Sequence, residues 1–279
     1  MLQAENLTRK FGGLTAVNNV TTSVAAGQIT AIIGPNGAGK TTFFNLIAGV
    51  HRPTSGRIRF KGQDVTGLTP DRMARLGVAR TFQATSLFDA ATVLDNLIVG
   101  HRLRTQSGLW DALLGTRRLK HEERVCRERA RAALDFVGLA HLERRIAGDI
   151  SQEERKRVAF AMALATDPQL LLLDEPAGGV NPEETLGLAD LIRKLVQHGK
   201  TVCLIEHKMD MIMQIADRIV VLNNGAKIAD GAPEEIRADP AVIDAYLGAH
   251  DAAAEHAMEE ALEATAEETH AQGNTHAAT

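Results

Sequence analysis

Cysteine is nearly absent: the 279 residues include only Cys126 and Cys203. They stand far apart and lack Cys-x-x-Cys spacing, which excludes a disulfide framework and a zinc centre; both read as small buried residues. No apolar run approaches the roughly 20 residues that span a bilayer, and the N-terminus lacks the apolar core of a signal peptide. Any membrane role therefore has to come through a partner. Basic residues such as Arg102, Arg104, Arg117 and Arg118 have no aromatics interleaved among them, so they read as a solvated helical face and not as a nucleic-acid surface. From His250 onward Lys and Arg stop, while Asp251, Glu255, Glu259, Glu260, Glu263, Glu267 and Glu268 accumulate. The body before them carries all 31 bases against 28 of the 35 acids, a balance of +3 inside a chain of net charge −4. With almost no large apolar residue to bury, 251–279 reads as an acidic, solvated tail.

What remains is ordinary in bulk and specific in pattern. A 44% hydrophobic content in a chain this long supplies core for one large domain or two modest ones. Gln28 to Ile33 reads as a short buried strand and Thr41 to Gly49 as a helix. Between them lies Gly34-Pro35-Asn36-Gly37-Ala38-Gly39-Lys40-Thr41-Thr42, a complete G-x-x-x-x-G-K-[ST] match. A glycine-rich turn in that setting points backbone N–H groups and the positive end of a helix at one spot. Lys40 can reach β- and γ-phosphates, and the Thr41 hydroxyl can ligate Mg²⁺. The pattern is that of a nucleoside-triphosphate site.

A second motif is Leu170-Leu171-Leu172-Leu173-Asp174-Glu175-Pro176. An apolar strand ending in two acids places Asp174 near a Mg²⁺ shell and Glu175 where it can polarise water. Before the phosphate loop, residues 2–24 alternate around a turn at Gly12-Gly13, and Gly56 to Phe60 alternates again before the turn at 61–64; both predict antiparallel strands. Thr92 to His101 and Glu122 to Gly138 carry helical spacing, with Val125, Ala133, Leu134 and Val137 on the buried face of the second. From Gln169 the chain returns to α/β alternation, through strands at 170–173 and 201–205. The helix between them has Asn181 as N-cap, Pro182 at its first position, two acids in its first turn and Gly199 past its end. The expected fold is α/β, a P-loop core with an antiparallel β subdomain and an inserted helical subdomain. Its parts are the first core segment 1–83, helical subdomain 84–157, second core segment 158–250 and tail 251–279.

Over residues 1–250 the chain resembles the ATP-binding subunit of an ABC transporter. The resemblance implies that Phe11 stacks on adenine with Val17 beside it. It further implies that Gln83, in Arg80-Thr81-Phe82-Gln83, reaches Mg²⁺ and water, and that His207, in Leu204-Ile205-Glu206-His207, contacts the γ-phosphate. Gly178-Gly179-Val180-Asn181 would be the loop facing a partner ATPase, with Asn181 in place of the usual Asp. Singly, each of these is a core aromatic, a surface glutamine or a strand-end histidine; their order behind an intact phosphate loop joins them. Asp174-Glu175-Pro176-Ala177-Gly178-Gly179-Val180-Asn181-Pro182, Ile205-Glu206-His207-Lys208-Met209-Asp210 and the ending Asp239 to Gly248 are similar to the branched-chain amino acid importer type. Importers for urea or an amide look much the same, because other subunits read the cargo.

One motif departs from the family. At the place of its Leu-Ser-Gly-Gly-Gln signature stands Ile150-Ser151-Gln152-Glu153-Glu154, in which Gln152 and Glu153 replace the glycines that approach the γ-phosphate held by the other ATPase. A carboxylate about 4 Å from that phosphate costs roughly 4 kcal/mol at an effective dielectric of 20. The resemblance therefore implies ATP and Mg²⁺ as ligands and two permease subunits as partners. It also implies a second, different ATPase with an intact signature, and a substrate-binding protein reached through the permeases. Peripheral attachment at the cytoplasmic face of the inner membrane follows, with no role for nucleic acid. Two other classes stay open, a non-transport ABC ATPase and a regulatory subunit impaired in hydrolysis. Neither fused ATPase units nor coiled coils favour the first, and Glu175 and His207 speak against the second.

Overall fold

The computed structural model describes residues 1–81, 87–101, 111 and 116–246. Two sheets organise them. β1 (Leu2–Phe11) and β2 (Leu14–Val24) form a hairpin through Gly12-Gly13, and β4 (Ser55–Phe60) and β5 (Gln63–Asp64) extend it antiparallel in the order β2-β1-β4-β5. The second sheet has the order β10-β9-β3-β8-β7-β6. It comprises β3 (Ile29–Ile33), β6 (Val78–Thr81), β7 (Leu170–Asp174), β8 (Thr201–Ile205), β9 (Arg218–Asn223) and β10 (Ala226–Gly231). All pairings from β9 to β6 are parallel, and β10 closes the edge antiparallel.

β3, β7 and β8 are buried at every residue, as expected of parallel strands covered on both faces. The strand period of two decides which face each side chain serves. Ala31, Ile33, Leu171, Leu173, Val202, Leu204, Ile219 and Val221 enter one core, shared with the long helices. Ile32, Leu170, Leu172, Cys203, Ile205, Val220 and Leu222 enter the other, against the antiparallel sheet and the apolar face of α1 (Lys40–Ile47). Alternate residues of one strand thus bind two subdomains together. α2 (Pro70–Leu76) contributes Met73 to the second core.

The helical layer comprises α3 (Val93–His101), α4 (Arg117–Phe136), α5 (Gln152–Ala165), α6 (Pro182–Gln197) and α7 (Met209–Ile215), with α8 (Pro233–Ala238) following β10. α4 begins earlier than apolar spacing predicts, because the Thr116 hydroxyl accepts the Leu119 N–H and caps it. Its buried stripe runs through Cys126, Ala130, Ala133, Leu134 and Val137; Val125, expected there, is only half-buried. The helical stagger of 3 and 4 selects Cys126 in its place. α5 runs unbroken through 157, so the boundary expected there falls inside one helix. Four further expectations lie outside the described residues: Gln83, the face at Arg102 and Arg104, the loop at Gly108-Leu109-Trp110 and the tail at 251–279.

Candidate nucleotide-binding site

The parallel register aligns the C-terminal ends of β3, β7 and β8, and those ends carry the chemistry. Beyond β3, Gly34, Gly37 and Gly39 have φ of 147°, 78° and 92°. Two of the three are also fixed by close approach. A Cβ on Gly34 would lie 2.0 Å from the Leu222 carbonyl oxygen, and one on Gly39 would lie 2.2 Å from that of Ala16. Gly39 occupies the N-cap position of α1 and offers no side chain to its first N–H groups, which leaves them for an external anion. Lys40 is 6% exposed and folds back, its Nζ donating to Gly34 O and Pro35 O at 2.8 Å each. Burial lowers its pKa, and the Glu175 carboxylate partly offsets this. The loop opens on a cleft of about 390 Å³ lined by Leu14, Thr15, Ala16, Gly37 to Thr42, Asn224 and Gly225. A larger groove of about 1110 Å³ lies by α6 and α7, but its lining is mainly apolar and includes none of the phosphate-loop residues.

Asp174 ends β7, 3% exposed at its side chain, and Arg80 on the neighbouring β6 donates to its Oδ2 at 2.6 Å. The same guanidinium donates to Asn45 Oδ1 at 2.6 Å, tying β7 to α1. The other carboxylate oxygen, Oδ1, is buried with no hydrogen-bond partner. An orphaned carboxylate oxygen beside the Thr41-bearing helix suits a hard divalent cation or its water. Glu175 takes the left-handed conformation at φ 48°, its N–H donating to Ile205 O at 2.9 Å. His207, two residues past the end of β8, lies with Nε2 3.0 Å from Glu175 Oε1. Since a carboxylate only accepts, this contact assigns the proton to Nε2.

Phe11 stands at the hairpin tip, 39% exposed. Arg9 covers its ring at 4.4 Å and His51 meets it edge-on at 5.5 Å. Val17, paired with it as a base contact, is 0% exposed, inside the core beneath the antiparallel sheet. This corrects the expectation. Leu14, 67% exposed, and Ala16 line the cleft instead.

Ser151 caps α5. Its hydroxyl accepts the Glu154 N–H at 3.2 Å, while Glu154 Oε2 accepts the Ser151 N–H at 2.7 Å. Glu153 does not stand alone: its carboxylate pairs with Arg157 at 2.7 Å. The charge at this helix end is thereby partly neutralised, and the repulsion expected from a bare Glu153 is reduced. Gln152 and Glu153 still place side chains at the helix start. Asn181 caps α6, its Oδ1 accepting the Glu184 N–H at 2.8 Å, which an Asp would do equally. Gly179 precedes it at φ 68°, on the exposed loop.

Four positions were not singled out by the sequence. Arg80 appeared only as a letter of its tetrad, and Glu206, Lys208 and Lys156 not as functional at all. Glu206 is 2% exposed; an acid between an apolar strand and a candidate histidine was the available signal.

Comparison with known proteins accords with this geometry. Residues 17–178 match the family model described as ABC transporter, and 226–252 match that of the branched-chain amino acid ATP-binding cassette transporter. The chain is 45% identical over 249 residues to the high-affinity branched-chain amino acid transport ATP-binding protein BraF of Pseudomonas aeruginosa, covering 89% of this chain and 98% of that one. It is 43% identical, with the same coverage, to LivG of Escherichia coli, which bears the same description. Among solved structures it resembles the ADP conformation of MJ1267, an ATP-binding cassette of an ABC transporter. The TM-score is 0.78 at 34% identity, over 89% of this chain and 98% of that one. Among the described residues no helix is long and apolar enough to cross a membrane. The chain belongs to the ABC transporter family, as one of its ATP-binding cassette subunits.

Proposed function

We propose that this chain binds MgATP and hydrolyses it to power an importer of branched-chain amino acids. The phosphate loop, Asp174, Glu175 and His207 at adjacent strand ends carry the hydrolytic reading. The names of the relatives and the match at 226–252 support the cargo; urea or an amide remains the alternative cargo. Gly34 and Asn36 to Thr42 hold the phosphates, with Lys40 swinging from its carbonyl contacts to the polyanion. Thr41, Asp174 and Gln83 would hold Mg²⁺, which would supply positive charge to offset that of the phosphates. Glu175 orients and deprotonates the attacking water, and His207 supports Glu175 and the γ-phosphate. Phe11 stacks on the adenine.

The partners proposed are two permease subunits, a second ATPase with an intact signature, and a substrate-binding protein reached through the permeases, at the cytoplasmic face of the inner membrane. No nucleic acid takes part. Gly179 and Asn181 face the second ATPase. The self-capped start of α5 supports an asymmetric pair, in which Ser151, Gln152, Glu153 and Glu154 oppose the weaker of two nucleotide sites. The same capping supports the second reading, a mainly regulatory subunit. Replacing Glu175 with Gln separates the two. In the assembled complex the hydrolytic reading expects turnover to fall about 100-fold or more, with MgATP affinity within about threefold. Turnover near that of the parent would favour the regulatory subunit.

A further inference from the structure

Side chains from outside the 176–181 loop hold its backbone, and two of them flank His207. Glu206 Oε2 accepts the Ala177 N–H at 3.3 Å, and the backbone N–H groups of His207 and Lys208 lie near enough to favour its ionised form. Lys208 Nζ donates to Val180 O and Thr185 Oγ1, each at 2.8 Å. Lys156, on α5, donates to Gly178 O. Burial keeps the Glu206 carboxyl above the usual carboxylate range despite the backbone N–H groups of Ala177, His207 and Lys208 nearby. For stability alone, an apolar side chain would serve this buried position as well or better. What the carboxylate adds is a junction between two loops.

We propose that Glu206 is a positioning residue for hydrolysis. It joins the backbone that carries His207 to the loop facing the second ATPase, so that the seating of that loop fixes the reach of His207 to Glu175 and the nucleotide. The inference rests on the reading of Glu175 and His207 as the hydrolytic pair. The strand ends themselves are pinned by the Glu175 N–H on Ile205 O, so a shift of the loop is taken up in 177–180 and passes through Glu206 and Lys208. A hydrogen bond of 3.0 Å tolerates little displacement, and misplacing a catalytic group by about 1 Å can cost on the order of 100-fold.

The test is ATP turnover by the chain assembled in its membrane complex, with kcat and KM measured separately for Glu206→Leu, Glu206→Gln and His207→Ala. Glu206→Leu is expected to lower kcat by about tenfold or more with KM for ATP within about twofold, because the phosphate loop is untouched. Glu206→Gln keeps one acceptor oxygen and is expected to recover kcat to within about threefold of the parent. If Glu206→Leu does not accumulate folded, Lys208→Met removes the second tether and carries the same expectation of reduced kcat at constant KM. The proposal is overturned if the tested variant keeps its kcat, if KM rises as kcat falls, or if Gln proves as poor as Leu. Loss of turnover in His207→Ala beside an unaffected Glu206→Leu removes this inference alone. Full turnover in His207→Ala removes the hydrolytic reading and this inference with it.

Discussion

Two helix N-termini in this molecule meet the same electrostatic circumstance in opposite ways. α1 begins at Gly39 with no side chain on its first N–H groups and a buried lysine beside them. α5 begins at Ser151 with a complete capping box and a carboxylate–guanidinium pair one turn long. Both ends carry the partial positive charge of aligned peptides. At α1 the charge stays open to an anion from outside. At α5 the anion is Glu154, supplied by the chain itself. Between these two helix ends, the one left open to an anion is the one whose local sequence withholds a cap, and at α1 the residue that does so is glycine.

The largest effect should come from spoiling the open end. Gly39→Val sets a branched side chain at φ 92° against the Ala16 carbonyl, and MgATP affinity in equilibrium binding is expected to fall about 100-fold or more, alongside lower stability. Conversely, the closed end can be opened. Gln152→Gly with Glu153→Gly, in the Glu175→Gln background, should strengthen MgATP-dependent self-association about tenfold in sedimentation, since side chains leave the approach to the opposing phosphate. An unchanged association constant would mean that Ser151 and Glu154, not their neighbours, keep that end closed. Removing the cap with Ser151→Ala should cost about 1 kcal/mol in denaturant unfolding while leaving MgATP binding to the isolated chain unaffected. The smallest effect is expected of Arg157→Met. It strips Glu153 of its partner and should change stability by only about 0.3–0.5 kcal/mol, because the pair is more than a third exposed. It should nevertheless weaken self-association in the same sedimentation assay, by leaving the carboxylate unneutralised.

The phosphate loop was legible in the sequence because its geometry is local: glycines at fixed offsets between a buried strand and a helix admit one shape. Alternation over 2–24 and 56–60 likewise placed strands of the antiparallel sheet, and short apolar runs placed β3, β7 and β8. Val17 was named through resemblance alone, and its inward orientation was not legible in the strand pattern. The β1–β2 pairing shifts register between Leu7 and Arg9 and again between Arg9 and Lys10, and each shift changes which parity faces the core. Val17 and Val20, of opposite parity, therefore both turn inward. Arg80 was not legible as the partner of Asp174, because that contact exists only once β6 lies beside β7, with Arg80 across from Leu172. Glu206 needed the burial of a whole strand end before its carboxylate could be read as a junction. Contacts set by residues distant in sequence leave no periodic trace in the sequence.

The turn after β9 has a temporal consequence. Gly225 donates its N–H to Ala38 O at 3.1 Å and accepts the Asn18 N–H at 2.8 Å, and Gly34 is moulded to the carbonyl of Leu222. The nucleotide cradle is thus encoded early in the chain but braced by residues made much later. At about 5–20 residues per second, a ribosome spends on the order of ten seconds or more between the two. Until 201–205 and 218–223 have been made, β3 lacks its sheet neighbours, β8 and β9. A nascent chain therefore lacks the braces of its most recognisable motif until Leu222 and Gly225 have been made.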